Sequence, residues 1–252
     1  MDLTHHPMQR LGAHAAATLA GRRHPDAVCD DDFDTVLSRV LTDADRAGAA
    51  DRETPGWSWL ARLSVMYPNS PVTHPVFRRR PDRVERLAAA FEVDQSDAPW
   101  RCCMCYQPAS VRWSRSLLPL GSAATHINCT VGNVAGGDPI CRACRIAIWC
   151  LPYAVMHRRT IWHIETMDPE AEAAAARRAF DIAVEASTSA QAVDVDVVDY
   201  VADLRRAHGT EMTVASWTND NRGAAMDRWT VPGVEDPSQG DDVDISELIS
   251  HR

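Results

Sequence analysis

The chain of 252 residues has no lysine, so all 26 of its basic side chains are arginines. That excludes a lysine-bearing phosphate loop. Neither an H-E-x-x-H pair nor a nucleophile elbow occurs, which removes the commonest metalloprotease and hydrolase signatures. The Gly-rich stretch Gly132-Asn133-Val134-Ala135-Gly136-Gly137 lies between cysteine pairs rather than in a βαβ unit, and is weak as a phosphate cradle. No run of about 18 apolar residues is present, so no membrane-spanning helix is expected. Met1-Asp2-Leu3-Thr4-His5-His6 lacks the basic start and apolar stretch of a secretory signal, and the expected location is the cytoplasm. There is no internal repeat. With 45% hydrophobic and 24% charged residues, the composition is that of an ordinary globular protein and excludes disordered, collagen-like and heptad chains.

The net charge of −9 is unevenly distributed. Residues 1–55 carry 6 basic and 10 acidic side chains, and residues 166–252 carry 7 and 18. Between them, residues 56–165 carry 13 basic against 7 acidic, a net of +6. A basic middle between acidic flanks suits a protein with a nucleic-acid surface on one face.

Cysteine is the informative residue. Seven of the eight lie between Cys102 and Cys150. In a cytoplasmic protein such clustering favours metal over disulfides. Cys102-x-x-Cys105 and Cys141-x-x-Cys144 are two knuckles separated by the 35 residues Tyr106 to Ile140. A two-residue spacer lets both thiolates point at one tetrahedral ion, so the pair of knuckles predicts a four-cysteine structural zinc site. A redox role needs only one such pair, in a thioredoxin-like setting that is missing here. Cys103 reads as a spectator, Cys129 and Cys150 as core residues, and Cys29 has no visible role.

The predicted fold is α+β, with the four-cysteine module at its centre. Residues 1–99 read as mainly helical, with helices over Met8–Ala20, Phe33–Ala47 (capped by one of Asp30-Asp31-Asp32) and Pro81–Phe91. Trp57–Met66 is apolar. Residues 100–158 form the zinc module. Residues 159–232 read as a strand at Thr160–Glu165, helices from Asp168 to Ala186 and Val195 to Ala207, and strands at Met212–Trp217 and Met226–Val231 joined through Thr218–Gly223. Residues 233–252 form an acidic, flexible tail.

Candidate nucleic-acid contacts are Arg78, Arg79, Arg80 and Arg83 (with Arg86 beside them), Arg112 and Arg115 between the knuckles, Arg142 and Arg145 at the second knuckle, and Arg158 and Arg159 beyond it. Arg–phosphate contacts give sequence-independent, salt-sensitive affinity, and Trp100 and Trp113 are candidates for base stacking. A His-Asn-His nuclease also frames its site with paired knuckles. It needs an Asp-His or His-His pair there, whereas this loop offers His126 alone, followed by Asn128 and Asn133. A zinc-built protein adaptor is the third possibility.

The segment Asn133…Asp138-Pro139-Ile140-Cys141-Arg142-Ala143-Cys144-Arg145-Ile146-Ala147-Ile148-Trp149-Cys150-Leu151-Pro152 resembles the zinc finger of large subunits of class 1 CRISPR effector complexes. Ile161-Trp162-His163-Ile164-Glu165, Asp168-Pro169-Glu170 and the late strands ending at Val231-Pro232 are similar in order, so the resemblance spans roughly residues 100–232. Type I large subunits carry a C-terminal helical bundle for which this chain has no room, so the compact type IV branch is the nearer likeness. The resemblance implies a non-catalytic subunit of an antiviral ribonucleoprotein. Its partners would be the guide RNA near the 5′ handle, the adjacent backbone subunit and other effector subunits, and the motif flanking the DNA target.

Overall fold

The computed structural model describes residues 1–114, 116–119, 137–157, 160–191, 193, 195–220, 223–234 and 245. Among these the fold is α+β, with seven α-helices and small antiparallel sheets. No helix among the described residues is long and apolar enough to cross a membrane.

Helix α1 (Pro7–Leu19) starts on a proline, which suits a first helical position whose amide needs no intrahelical partner. Its alanine-rich sequence is apolar on nearly every side, the pattern of a helix packed all round. Met8, Leu11, Ala13, Ala15, Ala16 and Ala17 are all buried. Helix α2 (Asp30–Ala49) buries Phe33, Val36, Leu37 and Val40 at helical spacing. Cys29, not one of the aspartates, occupies its N-cap, and the Asp32 carboxylate reaches back to accept the Cys29 N–H at 3.0 Å. The three aspartates fall instead in the first turn, where the helix dipole favours negative charge. Helix α3 (Trp57–Met66) buries Trp59, Leu60, Leu63 and Met66. The short α4 (Arg83–Ala88) continues as a 3₁₀ turn through Phe91.

Helix α5 (Arg142–Cys150) carries the second knuckle and runs into a 3₁₀ turn, Leu151–Tyr153. It packs directly on α1 at Gly12, where an added Cβ would collide with the Ala147 carbonyl. Arg62 of α3, fully buried, donates to the carbonyls of Pro152 and Val155 at 2.7 Å and so closes the far end of this segment. Burial pulls the Arg62 guanidinium down to about 9, which leaves it charged at neutral pH.

Helix α6 (Pro169–Thr188) starts on the expected Asp168, and α7 (Val197–His208) starts two residues later than expected, on Asp196. The Asp168 carboxylate accepts the Glu170 and Ala171 N–H groups, and Asp196 accepts those of Val198 and Asp199. Gly209 ends α7 at φ 65°, a conformation that favours glycine. Two buried carboxylates tie helices together. Glu172 of α6 takes both Arg10 and His14 of α1. Burial pushes the Glu172 carboxyl up, but those two partners outweigh it and hold it below the usual range. Asp43 of α2 accepts from Arg39, Arg46 and the Tyr153 hydroxyl at 2.7 to 2.9 Å.

The main sheet is antiparallel in the order β5 (Met156–His157), β6 (Ile161–Glu165), β7 (Met212–Asp220), β8 (Gly223–Val231). The last two strands extend past the expected ends, their ladder running from Met212 opposite Val231 to Asp220 opposite Gly223. Alternation sends Ile161, Ala215 and Trp217 toward the large core beside α3, and Ile164, Met212, Val214 and Val231 toward α6 and α7. The large core draws on Met8, Trp59, Trp113, Trp149, Ile161 and Trp217, so residues of all three expected segments meet in one apolar cluster. From the tail, Ile245 is buried in the smaller cluster against α6 and α7. Residues 235–244 and 246–252 lie outside the described residues.

Candidate metal centre

The first knuckle is a hairpin. Strands β1 (Trp100–Arg101) and β2 (Pro108–Ala109) pair, and the Cys102 N–H donates to the Gln107 carbonyl at 2.8 Å. The second is built by β3 (Arg112–Trp113), β4 (Asp138–Pro139) and the start of α5, whose N-cap is Cys141. The Ile140 N–H to Val111 bond and the Cys103 N–H to Pro139 bond, 3.1 and 3.0 Å, dock the two knuckles onto each other.

This docking brings the thiols of Cys102, Cys105, Cys141 and Cys144 within 4.8 Å of one another, Cys105 and Cys141 being 3.4 Å apart. Tetrahedral coordination with metal–sulfur bonds near 2.3 Å requires thiolates about 3.8 Å apart. The observed spread therefore fits one ion. An iron–sulfur cluster spreads its thiolates over several irons and needs a wider set. Cys102, Cys141 and Cys144 are buried and Cys105 is half-buried. Hydrogen bonding from Cys105, Cys141 and Cys144 pulls the Cys102 thiol down, and the thiolate so formed pushes Cys141 and Cys144 up. Without a cation, four thiolates in this space repel one another; a dication converts that repulsion into ligation. Cys103 lies outside the cluster, and burial, then the Cys102 thiolate, push its thiol up to about 12. Cys150 is fully buried in the large core.

Asp94, which sequence reading did not single out, clamps the module to the rest of the chain. Its carboxylate accepts the Ser110 N–H at 2.7 Å, the Arg142 N–H at 2.6 Å and the Arg145 guanidinium at 3.1 Å. Its partners lie 16 to 51 residues further on, so no local pattern marks it.

The candidate nucleic-acid arginines separate by environment. Arg145 has no exposure and donates to the carbonyls of Ala90 and Glu92 as well as to Asp94, so its guanidinium is withdrawn from any phosphate. Arg142 is held by the Phe91 carbonyl and Asp34, and lies over the Phe33 ring. Arg78 caps the end of α2 at the Gly48 and Ala50 carbonyls, and Arg83 pairs with Asp45. Arg112 donates to the Gly137 carbonyl and stacks on Trp100. Arg79 and Arg80 are exposed, as is Arg86, which pairs with Asp82. Trp113 is fully buried, with its indole N–H on the Ala90 carbonyl, and cannot stack on a base. Trp100 is 40% exposed. Arg115, Arg158, Arg159, His126, Asn128, Cys129 and Asn133 lie outside the described residues.

Fold and site together define an α+β protein organised around a four-thiol centre able to hold a metal ion. No protein-family model, curated protein or solved structure matches the chain.

Proposed function

We propose that the chain is a non-catalytic nucleic-acid-binding protein stapled by one structural zinc ion. In this reading it serves as a compact large subunit of a CRISPR guide-RNA effector complex. The observation that carries the zinc assignment is the four-thiol cluster, whose 4.8 Å span and all-sulfur donor set suit a tetrahedral zinc ion. Four thiolates complete that ion's coordination, so no position remains for an activated water, and the metal holds the fold.

The nucleic-acid part rests on the basic middle segment and on the exposed guanidiniums of Arg79, Arg80, Arg86 and Arg101. Such groups supply salt-dependent phosphate affinity. The guide-RNA complex, with the 5′ handle, a neighbouring backbone subunit and the target-flanking DNA as partners, follows from the resemblance of residues 133–152 and 161–170.

Expression with the neighbouring genes, followed by purification of the tagged chain, tests the reading. A multi-subunit particle carrying a uniform short RNA with a common 5′ end is the expected result. A zinc protein that elutes alone and binds no nucleic acid at low salt would contradict it, and would favour a protein adaptor.

A further inference from the structure

Two aromatic rings of the first knuckle stand in solvent. Trp100 opens β1, is 40% exposed, and carries the Arg112 guanidinium over its ring at 5.4 Å from the centroid. Tyr106 directly follows Cys105 and is 79% exposed. Its hydroxyl has no partner among the described residues.

The backbone makes Tyr106 informative. Its φ is 65°, in the left-handed region. The knuckle imposes this conformation: the Tyr106 N–H must reach the Cys102 carbonyl while the Cys102 N–H reaches the Gln107 carbonyl, so the chain reverses beside the two thiols. Glycine takes such a position freely, and a bulky side chain there is an outlier. The fold therefore gains nothing from the ring, which is neither packed nor hydrogen-bonded. Strain retained at an exposed position points to a role outside the fold.

We propose that Trp100 and Tyr106 form a stacking platform for the unpaired bases of single-stranded nucleic acid, with Arg112 backing one face of the Trp100 ring and the exposed Arg101 of the same hairpin to meet the phosphates. This deepens the nucleic-acid reading above and rests on it. Every base offers a π-face when unpaired, whereas in a duplex those faces are covered by neighbouring pairs. An exposed aromatic next to guanidiniums thus selects single strands, and does so with little regard to sequence.

The test uses the zinc-loaded full chain and fluorescence anisotropy with a labelled oligouridine RNA, the matching oligothymidine DNA, and an RNA duplex of the same length. Tyr106→Gly removes the ring while suiting the backbone, so it preserves the knuckle; Trp100→Ala removes the other. Each is expected to weaken single-strand binding about tenfold, the loss of one stacked base, and to leave duplex binding within about twofold. Tyr106→Phe should retain binding. Equal weakening on RNA and DNA strands means that the platform reads bases alone; a larger effect on RNA adds a contact to the 2′-hydroxyl. If both ring-removing variants hold zinc and bind single strands as wild type does, while the Arg79→Ala/Arg80→Ala double variant weakens every probe, the platform is overturned and the nucleic-acid reading stands. Wild-type protein that binds no probe at low salt overturns both.

Discussion

Replacing Arg145 by methionine separates a structural arginine from a binding one. The guanidinium is wholly buried, and its removal takes a donor from the carbonyls of Ala90 and Glu92 and from the Asp94 carboxylate, with Ala90 keeping only the Trp113 indole N–H. Asp94 keeps its bonds to the Ser110 and Arg142 N–H groups but loses its ion pair with Arg145 in a setting that is 14% exposed. Methionine preserves most of the volume, so the loss is polar rather than a cavity. Removing one member of a buried charged pair costs about 3–5 kcal/mol. With a urea slope of roughly 3 kcal/mol/M, that moves the midpoint down by about 1–1.7 M. The assay is urea unfolding followed by far-UV circular dichroism in excess zinc, with Arg79→Ala as the exposed control, expected within about 0.5 kcal/mol of wild type. Asp94→Asn provides the second edge of a double-mutant cycle. The combined variant should fall short of the summed single effects by about 1 kcal/mol or more, because the two groups are in contact. A midpoint for Arg145→Met within the range of the Arg79→Ala control would refute the buried clamp and return Arg145 to the surface.

Other perturbations test other parts of the structure. Gly12→Ala drives a methyl group into the Ala147 carbonyl, where neither helix backbone can yield without moving α5. The expected loss is about 2–3 kcal/mol, read as a fall of roughly 5–10 °C in thermal midpoint. His157 is buried, and burial, then the Arg62 charge, depress its imidazole to about 4 from 6.5. The unfolded chain therefore takes up a proton near pH 6.5 that the folded chain refuses until about pH 4. Stability should fall as pH drops through that window, by up to about 3 kcal/mol, and be unaffected by this group above it. His157→Gln should flatten the slope of unfolding free energy between pH 6.5 and 5; an unchanged slope would exclude His157 as its source. The Arg79→Ala/Arg80→Ala double variant should bind RNA more weakly and lower the slope of log affinity against log salt by up to about 2, with thermal midpoint unchanged.

Elements with a complete local signature were legible in the sequence. The spacing of Phe33, Val36, Leu37 and Val40 located α2, and Asp168-Pro169-Glu170 located the start of α6, because cap and periodicity lie within a few residues. The paired C-x-x-C knuckles named the four thiols that the fold brings together. The strands around them span only two residues each, too short to alternate, and left no trace. Trp57–Met66 proved helical, its apolar content too dense to show a face. Sequence reading could not sort the arginines by environment. A run of guanidiniums looks the same whether they meet phosphate or backbone carbonyls, and only the fold shows that Arg78 and Arg145 do the latter. Asp94 could not be found locally, since the groups it joins come from distant parts of the chain.

The most direct measurement is the metal content of the purified chain by elemental mass spectrometry, paired with counting of reactive thiols before and after chelation. The expected result is one zinc per chain, with the thiols of Cys102, Cys105, Cys141 and Cys144 masked until the chelator removes the ion and the central module unfolds. Cys141→Ser should lose the metal and the fold together. A wild-type chain that is folded without metal, or a Cys141→Ser variant that keeps both zinc and full solubility, would contradict the assignment of a structural zinc centre.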